Sequence, residues 1–231
     1  MIIHLLSAGA AQGLARTLEP AFSAAEGAVL QAHFGAVGAM KQLFDDGRPC
    51  DVIILTEAMI GALALEGRVI VDTRAALGRV RTGIAVRVGD PSPDVGSPDS
   101  LRAALLDADA IFIPDPERST AGIHFAKVLE RLGIDGEVRG RLRSFPNGAT
   151  AMRELAACDA ARPIGCTQHT EILYTAGVRL VSALPTAFEL ATVYMAAVAS
   201  NAADAMLAGR FVHALAGQDS AALRAAGGFE A

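Results

Sequence analysis

Tryptophan is absent from the chain, and aromatic residues make up only 5% of it. Its interior must therefore be built from aliphatic side chains and alanine, which favours helix and packs closely. Basic clusters are also missing. The formal net charge is −5 and no run of Lys or Arg occurs. That excludes nucleic acid as a partner, because binding its backbone needs clustered cations. The cysteines Cys50, Cys158 and Cys166 are odd in number and form no C-x-x-C pair. A disulfide scaffold and a zinc site are set aside on that ground. The five histidines show no H-E-x-x-H spacing, so no metal and no other cofactor is expected. No apolar run approaches the ~20 residues that cross a bilayer, and membrane insertion is not expected. A basic region, a long apolar stretch and a small-residue cleavage site are likewise missing before the first strand. The expected location is the cytoplasm, or the periplasm if a leader has been trimmed.

What is present is an apolar content of 52%, much of it alanine, enough to bury a sizeable core. Short apolar runs alternate with helical periodicity. Residues 2–6 form an apolar run closed by Ser7-Ala8-Gly9 and read as a buried strand. Residues 12–26 carry Leu14, Leu18 and Phe22 at helical spacing. Strands follow at 29–34 and 51–55, with helices at 39–44 and 57–65. This order predicts a parallel α/β sheet, and Val52-Ile53-Ile54-Leu55 suits a strand covered on both faces.

Residues 81–88 alternate and run into the turn Gly89-Asp90-Pro91. Ser97-Pro98-Asp99 opens a helix to about 106. A strand is expected at 110–113 and a helix at 121–132, closed by Gly133. Further helices are expected at 149–157, 202–215 and 220–225, and strands at 163–167 and 178–181.

Three times a strand ends in a loop of small and hydroxylated residues that starts a helix: at 7–13, 35–38 and 119–122. In parallel α/β sheets ligands bind beyond the carboxyl ends of the strands. Helix N-termini there offer unpaired N–H groups and partial positive charge, which favour anions.

Several phrases resemble the molybdate-binding branch of the type II periplasmic binding proteins. Phe34-Gly35-Ala36-Val37-Gly38-Ala39-Met40 is similar to that family's F-G-S-S-G-x-L turn, and Pro49-Cys50-Asp51-Val52-Ile53-Ile54 to its P-A-D-V-F-I strand. Asp115-Pro116-Glu117 through Ala121-Gly122 to Ala126-Lys127 resembles its D-P-x-x-x-x-A-G-x-x-A-K segment, and the tail to Gly228-Phe229 its closing G-F motif. The resemblance implies an α/β fold of two lobes with a ligand cleft between them. Lobe 1 would hold residues 1–80 and 185–231, lobe 2 residues 81–184. It also implies ligand-binding positions at Ser7, Ala36, Val37, Ser119, Thr120 and Gln168. Where the family has a serine pair this chain has Ala36 and Val37, and where it has a tyrosine this chain has Gln168. Those exchanges favour an organic carboxylate over molybdate. Arg81, near the first crossover, is a candidate for a bidentate carboxylate contact.

Two functions are compatible with this reading. One is a solute-binding module for a small anion, resembling the receptors of ABC transporters; a cytoplasmic chain would have no transporter partner. The other is a cytoplasmic isomerase that moves an allylic proton on a di- or tricarboxylate, as aconitate isomerase does. It needs a base, for which Glu57, His124 and His169 are the candidates. One of Ser119 and Thr120 is expected to cap the helix that follows them.

Overall fold

The computed structural model describes residues 1–231 and divides into two compact units, Met1–Val80 with Thr192–Ala231, and Arg81–Ala191. The first unit opens with β1 (Ile2–Ala8), α1 (Gln12–Glu26), β2 (Val29–Gly35), α2 (Val37–Asp45), β3 (Val52–Thr56) and α3 (Glu57–Leu65). β1 lies between β2 and β3, parallel to both, with Ser7 opposite Phe34 and Ile54. The carboxyl ends of the three strands are therefore level. Leu5, Leu6 and Val52 through Leu55 are wholly buried, as continuous apolar strands in a covered sheet should be.

β4 (Ala75–Arg87) carries the chain into the second unit. There α4 (Pro98–Asp107) starts at a capping box in which Ser97 and Ser100 bond reciprocally. β5 (Ala110–Pro114), α5 (Thr120–Arg131), the short α6 (Asp135–Val138), β6 (Leu142–Phe145), α7 (Gly148–Ala157), β7 (Pro163–Gln168), α8 (His169–Tyr174) and β8 (Val178–Ala183) follow. β5 is parallel to β6 and β7, and β4 is antiparallel to β7 and β8.

The chain returns to the first unit between Ala191 and Thr192, seven residues beyond the expected crossing at 184/185. Leu184 and Phe188 belong to the second unit's core. His124 Nε2 donates to the Phe188 carbonyl at 2.7 Å and Arg131 to that of Ala187 at 3.1 Å, which ties the intervening segment to α5. β9 (Ala191–Val198) then pairs antiparallel with β3, and α9 (Ala205–Ala216) and α10 (Ala221–Ala226) complete the first unit. Asp51 fastens this return. Its carboxylate accepts the His4 N–H at 2.8 Å and the Ala203 N–H at 2.8 Å, joining three separate stretches of chain. No helix is long and apolar enough to cross a membrane.

Candidate functional site

In the first unit the level strand ends bring Ser7, Ala36, Val37 and Glu57 to one edge of the sheet. Ser7 is fully buried, and its hydroxyl donates to the Ala8 carbonyl at 2.9 Å. Ala36 occupies the N-cap position of α2 with no side-chain cap, and Val37 is the first helical residue. The turn is tight: a Cβ on Gly35 would lie 2.8 Å from Met40 Cε. Glu57 begins α3 and is exposed, in keeping with a carboxylate favoured by the helix dipole. Thr56 caps that helix by accepting the Met59 N–H at 3.4 Å.

In the second unit the loop between β5 and α5 is closed by Asp115. Its Oδ1 accepts the N–H groups of Glu117 at 2.7 Å and Arg118 at 3.1 Å, and its carbonyl accepts that of Ser119 at 3.0 Å. This corrects the expectation of a Ser119 or Thr120 cap. Ser119 stands at the N-cap position, yet its hydroxyl accepts no first-turn N–H. Asp115 shapes the loop instead, and α5 begins with no side-chain cap. Neither the Ser119 nor the Thr120 hydroxyl bonds within the protein. Gly122 lets the helix start sit directly on the end of β5, since a Cβ there would collide with the carbonyl oxygens of Pro114 and Asp115.

Strand pairing sets Gln168 at the end of β7, the strand next to the β5 that leads into this helix start. Phe112 is level with Gly165, and β5 and β7 end two and three residues beyond that pair, at Pro114 and Gln168. Ile164 and Cys166 share a core with Phe125, Val128 and Leu129 of α5. Alternation along β7 therefore turns Gln168 to the same α5 face. Thr82 on β4 is paired with Gln168, and its neighbours Ile84 and Val86 lie in that same core, so Thr82 faces α5 as well. The sequence pattern alone gave Thr82 no role. Arg81 is held by Glu189, 3.0 Å away. The His124 ring is committed to Phe188. The His169 ring lies over Gly83, where a Cβ would be 2.5 Å from its Nε2.

The opposite face of β7 holds a feature that sequence reasoning also passed over. Glu171 is buried, and its carboxylate accepts the Thr167 hydroxyl at 2.6 Å together with the N–H groups of Gly148, Ala149 and Gln168. Two of those N–H groups belong to the first turn of α7, whose cap Asn147 accepts the Thr150 N–H at 2.8 Å. An internal carboxylate thus occupies a helix N-terminus that would otherwise attract an anion. Burial raises the Glu171 carboxyl above its ordinary value, and the four hydrogen bonds oppose the rise. A raised folded value means that the native state holds more protons than the unfolded chain above about pH 4.5. The group's stabilising effect is complete below that pH and is lost as pH climbs through the folded value. Parent and Glu171→Gln proteins unfolded in urea from pH 4.5 to 8 should therefore differ progressively, the parent losing stability relative to the glutamine variant as pH rises. A relative gain with pH would reverse the assignment.

Desolvation likewise pushes the thiol of Cys50 up to about 12 and raises that of Cys166. Neither is poised as a nucleophile at neutral pH.

Three comparisons with known proteins bear on this arrangement. The family model described as bacterial extracellular solute-binding protein matches residues 3–230. Among curated proteins, an aconitate isomerase from a Pseudomonas species is 26% identical over 225 residues, covering 95% of this chain and 84% of the relative. Among solved structures, the periplasmic molybdate-binding protein of Azotobacter vinelandii superposes with a TM-score of 0.80 at 17% identity, covering 99% of both chains. The sulfate-binding protein of Mycobacterium tuberculosis gives 0.75 at 20% identity, covering 99% of this chain and 86% of the other. At such identities these structures establish the shared α/β fold of the periplasmic binding proteins.

Proposed function

We propose that this chain binds a small organic carboxylate, and the premise is that it belongs to the bacterial extracellular solute-binding protein family, whose model spans it almost from end to end. The observation that carries the reading is the start of α5. An uncapped helix N-terminus and two hydroxyls without protein partners stand at the start of α5, and the amide of Gln168 lies on the α5 side of the second unit's sheet. Such a set donates hydrogen bonds to anionic oxygens without needing a cation. The preference for carboxylate over molybdate rests on the first unit. There the α2 turn offers the buried, apolar Ala36 and Val37 in place of hydroxyl donors.

The test compares Ser119→Ala and Thr120→Ala with the parent by calorimetric titration with citrate and with molybdate. Each variant is expected to lose about 1.5–3 kcal/mol of citrate binding. Because Ser119 makes no capping bond, its variant should melt, without ligand, within roughly 0.5 kcal/mol of the parent. Tight molybdate binding with none to citrate would overturn the carboxylate reading.

A second reading, an isomerase acting on a di- or tricarboxylate, is favoured by the aconitate isomerase relative. It requires a base that moves one allylic proton between two carbons of the bound acid. Of the three candidates, Glu57 lies exposed in the first unit and His124 is bonded to Phe188. The His169 ring lies over Gly83, on the face of β4 opposite Thr82, so this reading singles out none of the three as the base. Incubating the protein with trans-aconitate and resolving the cis isomer chromatographically separates the two readings. Binding without conversion leaves the solute-binding reading alone.

A further inference from the structure

We propose that the Thr82 hydroxyl is a ligand-binding group: it bonds directly to a carboxylate oxygen seated at the start of α5. The inference rests on the carboxylate-binding reading above and adds to it a contact that no motif marks.

Three observations support it. Thr82 is 1% exposed, and its Oγ1 is buried with no hydrogen-bond partner. A buried hydroxyl left without a partner is unfavourable, and native structures tolerate few of them. Its main chain, by contrast, is fully used: the N–H donates to the Leu190 carbonyl at 2.9 Å and the carbonyl accepts the Leu184 N–H at 3.1 Å. The backbone is thus fixed while the side chain's polar atom is left over, so strand pairing gives no reason for a hydroxyl here. Valine would occupy the same space with equal strand propensity and no unpaired polar atom.

The direction of the hydroxyl is set by the sheet. Thr82 pairs with Gln168 across the strands, so the two side chains stand side by side. Both face α5, as shown by the core that Ile84, Cys166 and Phe125 share. Gln168 ends β7 and Pro114 ends the neighbouring β5, directly before Asp115, which closes the loop ahead of the unengaged hydroxyls of Ser119 and Thr120. Thr82 is therefore the next side chain in the row that runs from the α5 loop across β7 to β4. A hydroxyl there adds a neutral donor whose position is fixed by two strands, beside donors carried on a loop. A rigid donor of this kind loses little entropy when the ligand arrives.

A pure packing role and a binding role predict opposite pairs of results. Thr82→Val removes the hydroxyl and keeps the shape. The variant is to be titrated calorimetrically with citrate and with trans-aconitate, and melted without ligand. The expected result is a melting temperature at or above the parent's together with about tenfold weaker binding of the acid that the parent binds. Thr82→Ser, which restores the hydroxyl, should bind within about threefold of the parent. Should the valine variant melt too early to titrate, Thr82→Ala is titrated in its place and the same tenfold decides. Unchanged affinity in the hydroxyl-free variant overturns the inference and leaves the carboxylate reading standing. A parent that binds neither acid removes that reading and this inference with it.

Discussion

Replacing Glu171 by alanine is expected to destabilise the protein by about 3–5 kcal/mol, among the largest effects of any single polar substitution in this chain. Four donors converge on that carboxylate: the Thr167 hydroxyl and the N–H groups of Gly148, Ala149 and Gln168. They come from β7 and from the first turn of α7, and Glu171 itself lies on α8. One side chain therefore joins three elements. Alanine would leave the donors facing a void at a site where Glu171 is buried and Thr167 fully so. Each unsatisfied buried group costs roughly 1–3 kcal/mol and the void adds to that, though the terms are not additive. The expected fall in melting temperature is roughly 6–20 °C. Thr167→Val, which removes one donor and keeps the carboxylate, should cost only about 1 kcal/mol. Thermal and urea unfolding of the two variants checks the ranking. A Glu171→Ala protein as stable as the Thr167→Val protein would mean that the carboxylate does not hold the three elements together.

How much of this was legible in the sequence depended on whether the deciding contacts were local. The helices at Gln12–Glu26 and Glu57–Leu65 fall where the periodicity put them, because their apolar spacing and flanking turns lie within the segments themselves. β9 is not announced by its sequence: Ala191-Thr192-Val193-Tyr194-Met195-Ala196-Ala197-Val198 mixes Ala and Met, which favour helix, with Thr, Val and Tyr, which favour strand, and pairing with β3 decides for strand. β6 is a short, half-exposed edge strand with no apolar run to announce it. The Ser119-Thr120 loop was visible as a helix start, but its closing residue was not: Asp115, four positions before Ser119, accepts the N–H groups of Glu117 and Arg118 within the loop, and the first turn of α5 is left without a side-chain cap. Thr82 and Glu171 were out of reach for a stronger reason. The face on which Thr82 sits follows from its pairing with Gln168, 86 positions away by the numbering. The donors to Glu171 include Gly148, 23 positions earlier. Composition and periodicity carry no trace of such partners. One signal was nonetheless available: an ionisable Glu171 directly before the apolar Ile172-Leu173, close behind a buried strand, is a residue that needs a partner.

Gly148→Ala should destabilise the protein although it adds a better helix former. Alanine is the better helix former by nearly 1 kcal/mol, and Gly148 does not adopt a left-handed backbone, so propensity alone predicts a gain. Space reverses the sign. A Cβ on Gly148 would overlap both Glu171 Oε2 and Thr167 Oγ1. Neither atom is the loose end of a flexible side chain, since the two are bonded to each other and buried. To make room, the carboxylate must leave its donors or α7 must draw back from β7 and α8. A loss of about 2–4 kcal/mol is expected. The cause can be isolated by a double-mutant cycle with Glu171→Ala. If the overlap with the carboxylate is what hurts, the alanine at 148 should cost far less once the carboxylate is gone, with a coupling energy of about 1.5–3 kcal/mol. Additive losses in the double variant would instead place the strain on Thr167 or the backbone of α7, and the carboxylate would no longer explain why position 148 must be glycine.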